Sequence, residues 1–211
     1  MSGILVSQGF VEFSTIVILL LTLGLAVKMS NKYFRTRQQP LLLWSTGIWI
    51  FAISVAIEVL FAFSVYSQVL AKLYLLLVAL IVEFLAFGSV SMLKSKKISL
   101  AYYSYGLLTT IILAYALIIG SLGNILVNYI VYGILPLSVV IASSIITFPA
   151  AIIIIALALK TYFKQKKPKM ISIVLGVIVV SIAGTLYVVQ VPAFLYYSEF
   201  IGILLLWYGF I

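Results

Sequence analysis

The chain of 211 residues is 65% hydrophobic and only 8% charged, with a mean hydropathy of +1.33, whereas soluble domains carry charge on about a quarter of their residues. Its 13 Lys and Arg oppose 4 Glu and no Asp, a formal net charge of +9, and His and Cys are absent. This inventory excludes disulfides, thiolate or imidazole metal sites, histidine-ligated haem and histidine acid/base catalysis, and it describes an all-α integral membrane protein with no expected cofactor.

A membrane-crossing helix needs about 20 mainly apolar residues to traverse a hydrocarbon core of about 30 Å. Seven runs qualify, at 10–28, 41–64, 74–93, 100–120, 137–159, 170–188 and 192–211. The first lacks a preceding basic segment and is followed by further spans, so it reads as a retained helix rather than a cleaved signal peptide. Apolar character continues from 125 to 159, too far for one span. Pro136 divides it, because proline suits a first helical turn and starts the fifth span there. Residues 121–135, rich in Gly and Asn, then form an outer connection along the interface. Within the fifth span Pro149 frees a backbone carbonyl and predicts a kink over 143–149.

The cations set the orientation. Lys28, Lys32, Arg35 and Arg37 fall between spans one and two; Lys94, Lys96 and Lys97 between three and four; Lys160, Lys164, Lys166, Lys167 and Lys169 between five and six. A seven-span chain puts these three loops on one side, and short basic loops are cytoplasmic. The N-terminus is therefore outside, the C-terminus inside, and only Lys72 is external. Trp44 and Trp207 lie near cytoplasmic ends, and Tyr66, Tyr74, Tyr129 and Tyr132 near outer ends, as interfacial belts would place them.

The first and third basic loops echo one another. Tyr33-Phe34-Arg35-Thr36-Arg37 precedes Pro40, and Tyr162-Phe163-Lys164-Gln165-Lys166 precedes Pro168; downstream, Ser54-Val55-Ala56 matches Ser181-Ile182-Ala183. One reading is a single transmembrane domain, 1–211, of two parallel three-helix repeats, 10–93 and 137–211, joined by a linker helix at 100–120. The other is that basic loops after apolar helices look alike by necessity.

This three-plus-one-plus-three plan resembles the SWEET and PQ-loop carriers, although their Pro-Gln signature is absent and the order here is Gln38-Gln39-Pro40. The chain also resembles a group of uncharacterised seven-helix proteins of archaea and actinobacteria. The likeness is carried by a basic loop leading to Trp44 and Glu58 in the second span, Tyr74 and Gly88 in the third, and Gly176, Gly184, Gly202, Gly209 and Phe210 towards the end. It implies the seven-helix fold and no activity.

All four carboxylates lie towards the outer half. At a rise of about 1.5 Å per residue, Glu58 is about 25 Å from the cytoplasmic edge of its span, Glu83 about 14 Å below the outer edge and Glu199 about 10 Å below it. Glu12 is shallow. A charge at the bilayer centre costs at least about 2.5 kcal/mol on insertion scales, so such groups face the bundle interior, pair, or hold a proton. A neutral, hydrogen-bonded Glu83 is the expected ground state. The functional expectation is a proton-coupled or cation-binding site of Glu83 and Glu58, with Tyr74, Ser54 and Glu199 as polar neighbours. Ser54 precedes Glu58 by four residues and shares its helical face. The structural alternative is that these carboxyls hydrogen-bond between helices and specify packing. Gly176, Gly184 and Ala183 read as close helix packing, and the basic loops as topology signals touching anionic lipid headgroups.

A retinal protein would need a lysine in the last span, and there is none. With no nucleophile and base pair, the chain is not expected to be an enzyme. Three classes remain: a small-solute or proton-coupled carrier, a non-catalytic accessory subunit of a larger membrane complex such as a respiratory one, and a membrane sensor, which would call for a signalling domain after Ile211. The implied partners are the bilayer and either further copies of the chain or other membrane subunits, in a cell membrane and without nucleic acid. An Ile-rich chain without Cys also hints at a hot or acidic habitat.

Overall fold

The computed structural model describes residues 8–123, 126–127, 130–131, 135–166, 169, 171–176, 178–179 and 192–210. Seven helical elements follow in order: α1 (Gln8–Thr36), α2 (Gln39–Ala62), α3 (Gln68–Ser91), α4 (Lys96–Ile119), α5 (Leu137–Gln165), α6 (171–176) and α7 (Pro192–Phe210). Among the described residues, α1 to α5 are each long and apolar enough to cross a membrane. Most of the expected sixth span, including Ala183 and Gly184, lies outside the described residues, as do Tyr129 and Tyr132.

α1 runs beyond the expected stop at Lys28 to Thr36. Its 29 residues extend about 44 Å, so the helix continues past the hydrocarbon as a basic turn whose carbonyls water can satisfy. Arg37 ends it in the left-handed region, at φ 53°, with its N–H on the Tyr33 carbonyl at 2.7 Å. Lys166 ends α5 in the same way, at φ 53°, bonded to the Tyr162 carbonyl at 2.6 Å. The two Tyr-Phe pairs, Tyr33–Phe34 and Tyr162–Phe163, each stand 5.6 Å apart. The left-handed conformation also follows α2 at Ser64 and α3 at Lys94, so this stop is not particular to the two echoed loops. Pro40 then occupies the first turn of α2.

α2 packs between α1 and α3, α3 also meets α4 and α5, and α7 lies along α1. On α1 the buried positions Val11, Thr15, Ile18, Thr22, Leu25 and Met29 alternate steps of four and three, one stripe facing the bundle. Thr15 and Thr22 enter that stripe at no polar cost, because their hydroxyls donate to the Val11 and Ile18 carbonyls at 2.9 and 2.7 Å. α4 buries only Gly106, Thr109, Leu113 and Leu117, while Leu107, Leu108, Ile111, Ile112 and Ile118 are exposed. A helix so apolar on its open side suits a hydrocarbon surrounding and no aqueous one.

The connection between α4 and α5 contains a short antiparallel pair, β1 (Leu126–Val127) and β2 (Ile130–Val131), with Leu126 opposite Val131 and Val127 opposite Ile130. β2 packs on α2. Gln68 and Tyr66 tie the start of this connection down by donating to the Leu122 and Gly123 carbonyls. Lys72 donates to the Ile118 carbonyl at 3.2 Å and so completes the C-terminal turn of α4.

α5 is one continuous helix through Pro149. A proline deprives the carbonyl four residues earlier of its donor, here Ile145. The Tyr105 hydroxyl on α4 supplies the replacement, 2.6 Å from Ile145 O. Two tryptophans join other helices by a common device. Trp44 Nε1 donates to Leu85 O at 3.0 Å over Gly88, and Trp207 Nε1 donates to Leu21 O at 2.9 Å over Gly24. In each case the glycine lies three residues after the accepting carbonyl, where a Cβ would meet the indole. These indoles lock helices together, a more specific task than a belt. Beside Trp207, Gly176 and Gly209 bring α6 and α7 together, each with side chains of the opposing helix where its Cβ would stand.

Candidate functional site: two separate carboxyl clusters

Three of the four glutamates are buried: Glu58 is 3% exposed, Glu83 2% and Glu199 7%. They form two clusters rather than one. In the first, Glu58 on α2 accepts a hydrogen bond from the Tyr74 hydroxyl on α3 at 2.5 Å. Glu199 on α7 lies within hydrogen-bonding reach of Glu58, and Tyr196, one helical turn before it, is near both carboxyls. One oxygen of each acid, Glu58 Oε2 and Glu199 Oε2, is buried without any hydrogen-bond partner. Phe61 closes the site, its ring 6.0 Å from that of Tyr74 and edge-on to it.

The second cluster is centred on Glu83. Thr110 on α4 donates to Glu83 Oε2 at 2.8 Å. Gly106, one turn earlier on α4, makes the room, since a Cβ there would collide with Glu83 Oε1 and the Phe87 ring. Tyr102 and Tyr105 stand near the same carboxyl.

The expected union of Glu83 with Glu58 is therefore not what the fold builds. Tyr74 and Glu83 are nine residues apart on α3, which at about 3.6 residues per turn is two and a half turns and puts them on opposite faces. Ser54 is buried on the Glu58 face, yet its hydroxyl donates to its own helix at Phe51 O, 2.9 Å away. Tyr74 sits inside the bundle, 6% exposed, and is no belt residue. Glu12, half-buried near the start of α1, accepts from Gln8 at 2.9 Å. Sequence reasoning missed Tyr196, Thr110 and Gly106. The spacing of Tyr196 to Glu199 and of Gly106 to Thr110 was readable, but which helix faced which was not.

No family model, curated protein or solved structure matches this chain.

Chemically, neither cluster contains a nucleophile set against a base. What they hold is protonatable oxygen in an apolar surrounding, with neutral hydroxyl donors as neighbours. Such a site can bind and release a proton, or hold a small cation between its oxygens. Of the two surface cavities described, one of about 330 Å³ is lined by Lys169, Leu204, Trp207 and Tyr208. The other, of about 210 Å³, is lined by Val90, Leu93, Ile98, Tyr102, Ile153, Ala156 and Leu157. No glutamate lines either one.

Proposed function

We propose that this chain is a multi-pass protein of the cell membrane that works as a proton-coupled carrier of small solutes, with the Glu58–Tyr74–Glu199 cluster as its coupling site. The observation that carries this reading is the pair of buried carboxyl oxygens without partners. Purely structural carboxyls would be expected to have their hydrogen bonds satisfied, because an unpaired buried polar group is costly. The site also joins α2 and α3 to α7, helices that belong to the two different halves of the proposed repeat. Relative movement of those halves would open the pair to one face or the other, as alternating access requires. Glu83, set apart on the other side of α3, acts as a second polar site within the membrane.

A specific observation favours a second reading. Both described cavities bypass the glutamates, as they would in an accessory subunit whose carboxyls only join helices. Proteoliposomes distinguish the two. Uptake of a mixture of labelled sugars and amino acids, measured with and without an imposed proton gradient, is expected to depend on the gradient. That dependence is expected to disappear in Glu58→Gln and Glu199→Gln. Uptake equal to that of protein-free liposomes would assign the chain to the subunit class, and protein-dependent uptake unaffected by both substitutions would remove the coupling role of the Glu58 cluster.

A further inference from the structure

We propose that the cavity beside Trp207 binds one anionic phospholipid, with its phosphate on Lys169 and Lys28 and one acyl chain along the exposed face of α7. Lys169 lines that cavity together with Leu204, Trp207 and Tyr208. Packing of α6 on α7 holds the lysine there. Ser172, three residues on, donates to Leu205 O at 2.6 Å, and a Cβ on Gly209 would stand 3.2 Å from the Lys169 carbonyl. From α1, Lys28 brings its Nζ to 5.3 Å from the centre of the Trp207 ring. One indole therefore borders both the cavity and a second ammonium group.

Charge and shape together select the ligand. Lys28 and Lys169 are exposed, and among the described residues neither is paired with a carboxylate or a carbonyl, whereas the neighbouring Lys32 donates to Phe210 O at 3.3 Å. No glutamate side chain can supply the missing counter-charge. Glu199 lies eight residues before Trp207, about 12 Å along α7, and is buried; Glu12 lies sixteen residues before Lys28, about 24 Å along α1. Glu58 and Glu83 are buried in the clusters already described. The anion must come from outside the chain. An apolar track leads away from the same cavity: Tyr197, Ile201, Leu204 and Tyr208 are exposed and follow one another in steps of four, three and four on one face of α7. The track is about 16 Å long, close to half of a hydrocarbon core of about 30 Å and so to the depth of one leaflet. A soluble anion would leave this track unused, and a zwitterionic lipid would bring an ammonium group of its own towards two lysines. An anionic phospholipid satisfies both parts, as basic pockets between membrane helices do elsewhere.

The full chain in non-ionic detergent, titrated with dioleoyl phosphatidylglycerol and followed by native mass spectrometry, is expected to bind one molecule of it in preference to dioleoyl phosphatidylcholine. Lys169→Ala and Lys28→Ala are each expected to weaken that binding about fivefold, and Lys94→Ala, an equal loss of charge away from the cavity, by less than about twofold. Leu204→Trp fills the cavity at an exposed position without changing the charge, and is expected to weaken binding too. Excess glycerol phosphate is expected to displace nothing. Equal weakening by Lys94→Ala would reduce the binding to diffuse surface attraction, and equal affinity for phosphatidylcholine would leave the lysines without a part in it. Displacement by glycerol phosphate would mark a site for a free anion, and full binding in Leu204→Trp would remove the cavity from it. Each of these results would overturn the proposal, and none depends on whether the chain transports a solute.

Discussion

Replacing Tyr74 with phenylalanine would leave Glu58 Oε1 buried without its donor, and an unsatisfied buried acceptor costs about 1–3 kcal/mol. Tyr74→Phe is therefore expected to lower stability by about that amount in a denaturant titration of the detergent-solubilised protein. A double-mutant cycle tests the separation of the two clusters. Tyr74→Phe combined with Glu58→Gln is expected to depart from additivity by about 0.5–3 kcal/mol, while Tyr74→Phe with Glu83→Gln should add within about 0.5 kcal/mol. Coupling of Tyr74 to Glu83 as strong as to Glu58 would mean that a single site exists. Gly106→Ala would press a methyl onto Glu83 Oε1 and Phe87, at a cost of about 1–3 kcal/mol, the ordinary price of overpacking. Relief of that loss in Glu83→Ala is the outcome that confirms the contact.

Between α4 and α5 the freed Ile145 carbonyl and the Tyr105 hydroxyl form a pair that exists only because Pro149 is a proline. Tyr105→Phe leaves that carbonyl without a donor at membrane depth, where an unsatisfied group costs several kcal/mol. Pro149→Ala restores the helical N–H and removes the need. The double variant is thus expected to be more stable than Tyr105→Phe alone, measured by the same titration. Equal losses in both would show that the hydroxyl is incidental. Pro149 and its consequence for the Ile145 carbonyl were legible in the sequence, because both follow from covalent structure. Its partner was not, because Tyr105 lies forty residues away and reaches Ile145 only through the rotation of α4 about its axis. The same limit explains Trp44 and Trp207: their places near the ends of apolar runs were readable, and their acceptors on α3 and α1 depended on helix facing.

Across the whole molecule, apolar run length made the helical class and five helices long and apolar enough to cross a membrane legible. They depend only on the cost of polar groups in hydrocarbon. The burial of three glutamates was legible for the same reason. Their grouping was not: a common depth does not imply a common face, and nine residues along α3 turn Tyr74 and Glu83 away from each other. The expected orientation rests on one asymmetry, that twelve of the thirteen cations fall between the first and second, third and fourth, or fifth and sixth apolar runs. Because the chain has no cysteine, single cysteines introduced at Arg35, Lys72, Lys96 and Lys166 are each the sole thiol for a membrane-impermeant label. In intact cells the account predicts labelling at Lys72 alone, with Arg35, Lys96 and Lys166 labelled only after the membrane is opened. Labelling of Arg35 and Lys166 from different sides would contradict the seven-crossing map and the depth of the carboxyl pair that follows from it.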